Sequence, residues 1–354
     1  MFYKSLLSKC VFLSLVAGSL YADSLPKKTD YLPKNPPSKA EEVSDAAFFA
    51  SASYLYWKAT EDGLEVGTNY AVDPTGFRAY PTGAFNYNPE YRSAFKVDLG
   101  YRFPDWNWEI VADYTWFHHN FNAVQKANFV DYKELNPLAS IWAAYKRNLF
   151  TKETGIAASF QWHLGLDYVD LLARYTTHAA GIMTWKPSFG LRAVLLQQET
   201  KARGNIRFAP IAPSTQITSA KSWGIGPALG IDGSLALGSG FSIVGHGLVG
   251  LLAMNNYSLN FYSSPQEIGA SPIHLNQNWH TTMRANAEGN LGLEWKYVTN
   301  NKAEFMVAAL WDMVAFFNAN MINAYTSALT VNSAPSTPGN LYLQGLTVRV
   351  GVVF

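Results

Sequence analysis

The sequence predicts an all-β protein, a transmembrane antiparallel β-barrel of about 12 strands, within a range of about 10 to 16. Three observations support this fold class. Charged residues make up only 15% of the 354 residues, aromatic residues make up the same share, and apolar and polar residues alternate over long stretches. A soluble domain typically carries about 25% charged residues. The 27 Lys and Arg residues balance 26 Asp and Glu residues, so no basic surface for nucleic acid is expected.

The alternation predicts strands in residues 93–103, 108–118 and 283–297. In each range one parity is apolar and the other carries the charges. A tilted strand that crosses a membrane needs about 9 to 11 residues, whereas strands of soluble proteins usually have about 5 to 6. These ranges reach the longer figure, which favours a membrane barrel over a large secreted sandwich.

Aromatic residues at the strand ends predict the two girdles that a membrane barrel places at its lipid interfaces. They are Tyr101, Phe103, Trp106, Trp108, Trp116, Trp295 and Tyr297. Because lipid offers no hydrogen-bond partner to the backbone, the predicted sheet must close on itself.

The N-terminal region divides into two segments before the predicted barrel of residues 47–354. Residues 1–22 combine Lys4 and Lys9 with a short apolar run, which predicts a secretory signal peptide rather than an anchor helix. Residues 23–46 are polar and rich in Pro, and they predict a flexible leader. Cleavage after Ala22 removes Cys10, so the mature chain has no thiol for a disulfide or a metal site.

Further strands are predicted in residues 156–167, after Ala180, and in 223–237, 241–253 and 304–316. Shorter pieces near Tyr54, Phe129, Ile206, Tyr257 and Tyr325 are assigned either to strands or to loops. In residues 156–166 the even positions are apolar and are expected to face lipid. Because Asp170 and Arg174 lie on the opposite parity from Asp167, a turn or bulge is expected near Tyr168.

The C-terminus predicts insertion into a bacterial outer membrane. Apolar residues alternate from Leu346 to a terminal Phe354, which resembles the signal that outer-membrane assembly machinery recognises. Val352 departs from this pattern, in which an aromatic residue is common. The alternative is an ordinary C-terminal core strand.

Blocks between residues 54 and 200 resemble the Legionella-type major outer membrane protein family, which also occurs in chlamydia-like bacteria. They are residues 54–59 (YLYWKA), 61–64 (EDGL), 95–97 (FKV), 114–118 (YTWFH) and 187–193 (PSFGLRA), together with Gly100, Tyr101, Trp106, Leu166, Asp170, Leu172 and Arg174. The resemblance implies a pore-forming outer-membrane barrel. The lack of cysteine after residue 22 departs from disulfide-linked members and argues against a cross-linked envelope network.

Directing the apolar parity toward lipid places a mixed set of charges in the lumen, because a charged side chain at the lipid midplane costs about 2 to 4 kcal/mol. These predicted pore-lining residues are Lys96, Asp98, Arg102, Glu109, Asp113, Arg192, Arg284, Glu288, Glu294, Lys296, Glu304, Asp312 and Arg349. They suggest a water-filled channel with weak charge selectivity for small hydrophilic solutes and ions. The alternative is that the charges pair across strands and fill a narrow lumen.

No enzymatic activity, cofactor or metal is predicted. His118 and His119 are neighbours on a strand, so they point to opposite faces and cannot bind one metal together. His163 is expected to face the lumen, and a hydrolase would require a Ser and a carboxylate to converge on it. The sequence contains no nucleophile-elbow motif.

Five polar segments predict extracellular loops: residues 64–90, 121–150, 200–220, 255–280 and 318–340. Such loops suit a surface antigen or adhesin as well as a porin. The expected partners are outer-membrane lipid and, through Phe354, the assembly machinery. The sequence leaves open whether the barrel forms a homotrimer and whether its loops contact a host or another cell.

Overall fold

The structure is a computed structural model. It describes residues 47–63, 65–72, 79–86, 89–104, 106–126, 138–139, 156–179, 182–206, 214–263, 272–277, 280–299, 303–320, 322 and 339–354. The predicted signal peptide and leader lie outside the described residues.

The described residues form a succession of β-strands. They are β1 (Ala47–Glu61), β2 (Glu65–Val72), β3 (Ala79–Asn86), β4 (Tyr91–Arg102), β5 (Trp108–Lys126), β6 (Leu138–Ala139), β7 (Ile156–Tyr175), β8 (Thr177–Ala179), β9 (Met183–Ile206), β10 (Ser214–Gly238), β11 (Phe241–Ser263), β12 (Ile273–Gln277), β13 (His280–Val298), β14 (Glu304–Asn320) and β15 (Gly339–Val353).

Ten of these strands form a closed antiparallel barrel in the order β1, β4, β5, β7, β9, β10, β11, β13, β14 and β15. Pairing of β15 with β1 closes the sheet, with Phe49 opposite Val353 and Glu61 opposite Leu341. The short strands β8 and β12 extend the sheet beside β9 and β11, and β2, β3 and β6 form a separate small sheet.

The barrel therefore has ten strands, which is the lower end of the predicted range of 10 to 16 and two fewer than its central value of about 12. The residues near Ile206 and Tyr257 are not separate strands but parts of β9 and β11, and Tyr54 lies within β1. Strands β9, β10 and β11 have 24, 25 and 23 residues, far more than a membrane crossing needs. Because these strands are so long, residues that the prediction assigned to further strands belong to them instead. The pieces near Phe129 and Tyr325 lie outside the described residues.

The two ends of the barrel differ in their connections. At the end that also carries Ala47 and Phe354, here called the terminal end, five residues separate β4 from β5, two separate β10 from β11, and five separate β13 from β14. The longer connections lie at the opposite, distal end. Because bacterial barrels have short periplasmic turns and long extracellular loops, we expect the terminal end to face the periplasm. The barrel strands also reach into four of the five predicted loop ranges, as in residues 121–126 and 214–220, and β2 and β3 lie in the fifth, residues 64–90.

The tightest turn joins β10 to β11. Ser239 and Gly240 have φ values of 53° and 82°. Two central residues with positive φ match the type I′ turn, whose twist fits that of the paired strands. A Cβ on Gly240 would lie 2.4 Å from the carbonyl oxygen of Lys296, so the turn also requires glycine for close packing against β13.

The outer face of the barrel is an apolar band between aromatic girdles. Leu99, Leu229 and Leu291 are each about 60% exposed on this face. Toward the terminal end the band meets Tyr101, Trp295 and Phe305, and toward the distal end it meets other rings, including Tyr54, Phe95 and Trp223. In the part of the chain that is described, no helix has the length and apolarity to span a membrane.

Strand β7 departs from the sequence prediction in two ways. Its pairing with β5 and β9 runs from Ile156 to Tyr175 without a register shift, so the turn or bulge expected near Tyr168 is absent. The apolar residues Phe160, Trp162, Leu164 and Leu166 lie inside the barrel rather than against lipid. They pack there because neighbouring strands supply apolar inward-facing partners at the same level.

Candidate functional site in the barrel lumen

The inner face of the barrel carries all thirteen charged residues of the predicted lumen. Eleven of them line one cavity of about 210 Å³ in the terminal half of the barrel. The other two, Arg192 and Arg284, lie on the same parity as inward-facing neighbours and are buried. The side of the sheet was thus derivable from parity, whereas the cavity depends on packing across the lumen.

Arg192 forms the most deeply buried ion pair of the lumen. Its Nε donates to Asp170 Oδ1 at 2.6 Å and its Nη2 donates to Glu288 Oε2 at 2.7 Å, and its side chain is fully buried. The guanidinium also lies 4.7 Å from the ring centroid of Tyr168. Strands β7, β9 and β13 are thereby connected across the interior. Charge-assisted bonds of this kind are the strong class of protein hydrogen bonds.

A network of charges surrounds this pair and extends toward the terminal end. Lys96 Nζ lies 3.6 Å from Glu288 and 3.8 Å from Asp113. Arg174 reaches Asp113 at 3.9 Å and Asp232 at 3.3 Å. Asp113 pairs with residues of the two neighbouring strands, whereas Lys96 and Glu288 are four strands apart around the barrel. The charges therefore pair across the lumen as well as between neighbouring strands.

Glu109 is a second centre of this network. Lys186 lies 3.2 Å from its carboxylate, and Arg102 and Arg174 lie at 3.8 and 3.9 Å. Asp232 pairs in addition with His246, whose Nδ1 is 2.7 Å from Oδ1. The buried carboxylate of Glu109 thus has three cations within 4 Å, and the neighbouring carboxylate of Asp232 is paired with His246 and Arg174.

The opening of the lumen at the terminal end has its own pairs. Arg349 donates to Glu294 at 2.8 Å, and Lys296 lies 3.0 Å from Glu304 and 3.7 Å from Glu294. Asp98 accepts a hydrogen bond from Ser51, and Asp312 accepts one from Thr347. These side chains are more exposed than Arg192.

Above the charged half, toward the distal end, an apolar layer fills the barrel. Trp57, Phe117, Phe121 and Trp162 are almost completely buried in its centre, and Trp57 stacks on Phe117 with ring centroids 6.4 Å apart. The other main members of the apolar layer are Leu55, Phe160, Leu164, Leu166, Val194, Leu196, Leu252, Met254, Val314, Phe316, Leu341 and Leu343. The sequence prediction of a continuous water-filled lumen did not anticipate this layer.

A smaller polar group lies on the distal side of the apolar layer. Gln198 donates to Glu61 at 2.6 Å, which joins β9 to β1 across the lumen. Arg284 donates to Asn256 at 2.9 Å. Arg284 is therefore separated from the other twelve predicted residues by the apolar layer.

Sequence reasoning missed several inward-facing residues of the network: Asp170, Arg174, Lys186, Asp232 and His246. Lys186 and Arg192 share a parity on β9, which is a signal that was available. Asp170 and Arg174 share the parity of Leu166, which the sequence analysis expects to face lipid. Because that expected orientation of β7 is wrong, the predicted lumen residues do not include Asp170 and Arg174.

The histidine predictions have mixed outcomes. His163 faces outward, so its expected position in the lumen is wrong, and its Nδ1 lies 2.9 Å from Asn120 Oδ1. His118 faces outward and His119 inward, as their adjacency on a strand predicts. Within the described ranges, no group of three or more His, Cys, Asp or Glu residues could hold a metal ion.

Comparison with protein families decides where this chain belongs. Residues 43–354 match the family model of the Legionella pneumophila major outer membrane protein precursor. The chain belongs to this family. The resemblance noted from residues 54–200 thus extends over the whole barrel, and the protein is an outer-membrane protein. A comparison with curated proteins finds no match.

Solved structures that match this chain have low sequence identity to it. The outer membrane protease OmpT of Escherichia coli is 11% identical, with 92% of this chain and 99% of that chain covered and a TM-score of 0.39. A major outer membrane protein of Thermus thermophilus is 10% identical, with 69% of this chain and 98% of that chain covered and a TM-score of 0.27. A FadL homologue of Pseudomonas aeruginosa is 8% identical, covers 87% and 90%, and has a TM-score of 0.25.

Proposed function

We propose that this family member is a non-enzymatic outer-membrane porin of narrow bore, which passes ions and small hydrophilic solutes with weak charge selectivity. The observation that carries the proposal is the cavity in the terminal half, which is lined by ionised groups of both signs. Burying charges costs more free energy than packing apolar residues of the same volume, and such pairs are weak stabilisers. A barrel selected only for stability has no need of this lining, whereas a channel does.

The apolar layer is the narrowest part of the proposed path. Side chains such as Trp57 and Trp162 leave almost no surface to water. Passage requires these rings to move aside, so the proposed conductance is small and the layer acts as a hydrophobic constriction.

The test is single-channel conductance in planar bilayers, with heat-modifiable gel mobility as the check of folding. Wild-type protein is expected to give small conductance steps. Trp57→Ala removes a ring that lines the cavity and belongs to the layer, so larger steps are expected. Trp311→Ala makes the same change on the lipid-facing side of β14 and is expected to conduct like the wild type.

A second candidate is a structural or adhesive surface barrel with a closed lumen and cell-contacting loops. The apolar layer and the pairing of charges across strands specifically favour it. Folded wild-type protein without conductance above background would exclude the porin and leave this candidate. Loss of cell binding after exchange of the distal connections, with the barrel still folded, would support it directly.

A further inference from the structure

A hydrogen-bonded polar group stands on the outer face of the barrel, where β5 and β7 pair. The two carboxylate oxygens of Asp167 accept from Tyr114 Oη and from His118 Nε2, each at 2.7 Å. Trp116 stacks on the His118 ring, with centroids 5.0 Å apart and planes 4° from parallel. A Cβ on Gly165 would lie 3.3 Å from this ring, so the glycine provides the surface on which the imidazole rests.

The position of this group along the barrel is that of the distal girdle. Asp167 lies opposite Trp116, which stacks on Phe95 at 5.3 Å. Toward the terminal end β7 presents the apolar residues Val169 and Leu171 to lipid, with 44% and 52% of their surfaces exposed. The group therefore sits where the apolar band ends, at the level of the headgroups in the outer leaflet.

Hydroxyl groups continue this surface onto the neighbouring strands. Ser93 Oγ and Tyr54 Oη are 2.7 Å apart on β4 and β1. Ser93 lies next to His118 around the barrel, because its carbonyl oxygen accepts from His119 Nε2 at 2.6 Å. Of the two hydroxyls, one donates to the other, and the second retains its hydrogen for an outside acceptor.

The chemistry of the ring indicates what this surface binds. An ionised carboxylate can only accept, so Nε2 of His118 carries a proton. When the ring is protonated, Nδ1 is a second donor, and it has no hydrogen-bond partner among the described residues. An anion that accepts a hydrogen bond from Nδ1 pairs with the ring in this doubly protonated form. In that form the surface offers a cationic N–H beside hydroxyl groups.

We propose that this outward-facing group, formed by His118, Asp167, Tyr114, Ser93 and Tyr54, binds the phosphate of a lipid headgroup in the outer leaflet. The protein is an outer-membrane protein, so lipid covers this face and headgroups lie at its level. Phosphate is an acceptor that suits a protonated imidazole and hydroxyl donors. The proposal does not depend on whether the lumen conducts.

Native mass spectrometry of the refolded full chain in detergent micelles tests the proposal. The probes are dimyristoyl phosphatidic acid, dimyristoyl glycerol without the phosphate, and inorganic phosphate as a competitor. Wild-type protein is expected to retain phosphatidic acid several-fold more than diacylglycerol. His118→Phe keeps the stacking on Trp116 but removes both N–H groups, so this preference is expected to disappear.

His163→Phe is the matched control, because His163 also faces outward on β7 and is hydrogen bonded only to Asn120 among the described contacts. It is expected to behave like the wild type. Equal retention by wild type and His118→Phe would overturn the proposal, and so would displacement of the lipid by equimolar inorganic phosphate. If His118→Phe lacks heat-modifiable mobility, the double variant Ser93→Ala and Tyr54→Phe takes its place, and because it removes both hydroxyl groups of the site it is expected to weaken retention.

Discussion

Arg192 illustrates how much a single residue of the lumen contributes. Its guanidinium links Asp170 to Glu288, and all three side chains are buried. Arg192→Ala leaves Asp170 without a paired cation among the described residues and leaves Glu288 with Lys96 alone, so we expect a loss of about 3 to 5 kcal/mol in the free energy of unfolding. Urea unfolding in lipid micelles, followed by heat-modifiable mobility, measures this change.

Arg349→Ala is the control for this prediction. Arg349 also pairs with a carboxylate, that of Glu294, but its side chain is 29% exposed near the opening of the lumen. Exposed pairs contribute about 0 to 1 kcal/mol. Equal losses for the two variants would contradict the assignment of a special role to the buried pair.

Individual side chains were predictable from the sequence where a strand alternates cleanly. Lys96, Asp98 and Arg102 share one parity of β4, and lipid cannot accept a row of charges, so their side of the sheet followed from physics alone. Their partners did not follow, because Glu288 and Asp113 reach Lys96 from other strands. Parity is local, whereas pairing across the lumen depends on the number and stagger of the strands.

At the level of strands, β7 marks the limit of this reasoning. Alternation identifies the residues that share a face, but it does not identify the medium on that face. Phe160 and Trp162 are as apolar as a lipid-facing row, yet they pack inside, while the outward position 167 carries a carboxylate. A barrel interior that is itself apolar reverses the assignment.

The lipid-facing side of β10 allows a test of depth. Leu229 lies in the middle of the apolar band, whereas Ser219 lies beyond Trp223 and Lys221 on the same strand. Leu229→Arg is expected to cost about 2 to 4 kcal/mol, and Ser219→Arg about 0 to 1 kcal/mol, because the penalty falls toward the interface. Equilibrium unfolding in lipid vesicles measures both, and equal costs would place the membrane elsewhere on the strand.

For the whole molecule, the closed sheet was predictable and the strand number was not. Closure follows from the need to satisfy every backbone group in lipid. Strand number requires the length of each strand, and nothing in the alternation of β9 to β11 shows where the membrane ends and a strand in water begins. The apolar layer was unpredictable for the related reason that its members come from most strands of the barrel.

Phe354 has two separable roles to test: its backbone helps to close the barrel, and its ring is the expected signal for the assembly machinery. The backbone of Phe354 exchanges two hydrogen bonds of 2.9 Å with Phe48, and the residue is 67% exposed. Phe354→Ala keeps those bonds, so refolding of the purified chain should be unchanged. If assembly machinery reads the ring, the yield of folded barrel in cells should fall, and an unchanged yield would remove that role.

The unequal lengths of the strands give the barrel an oblique distal rim. β4 has 12 residues, about enough to cross the membrane, whereas β10 has 25. At about 3.3 Å per residue and a tilt near 40°, the side formed by β9 to β11 rises on the order of 30 Å above the lipid. Of the barrel strands, β9 to β11 thus extend furthest from the lipid, toward large molecules that approach the cell, such as an antibody or a phage fibre.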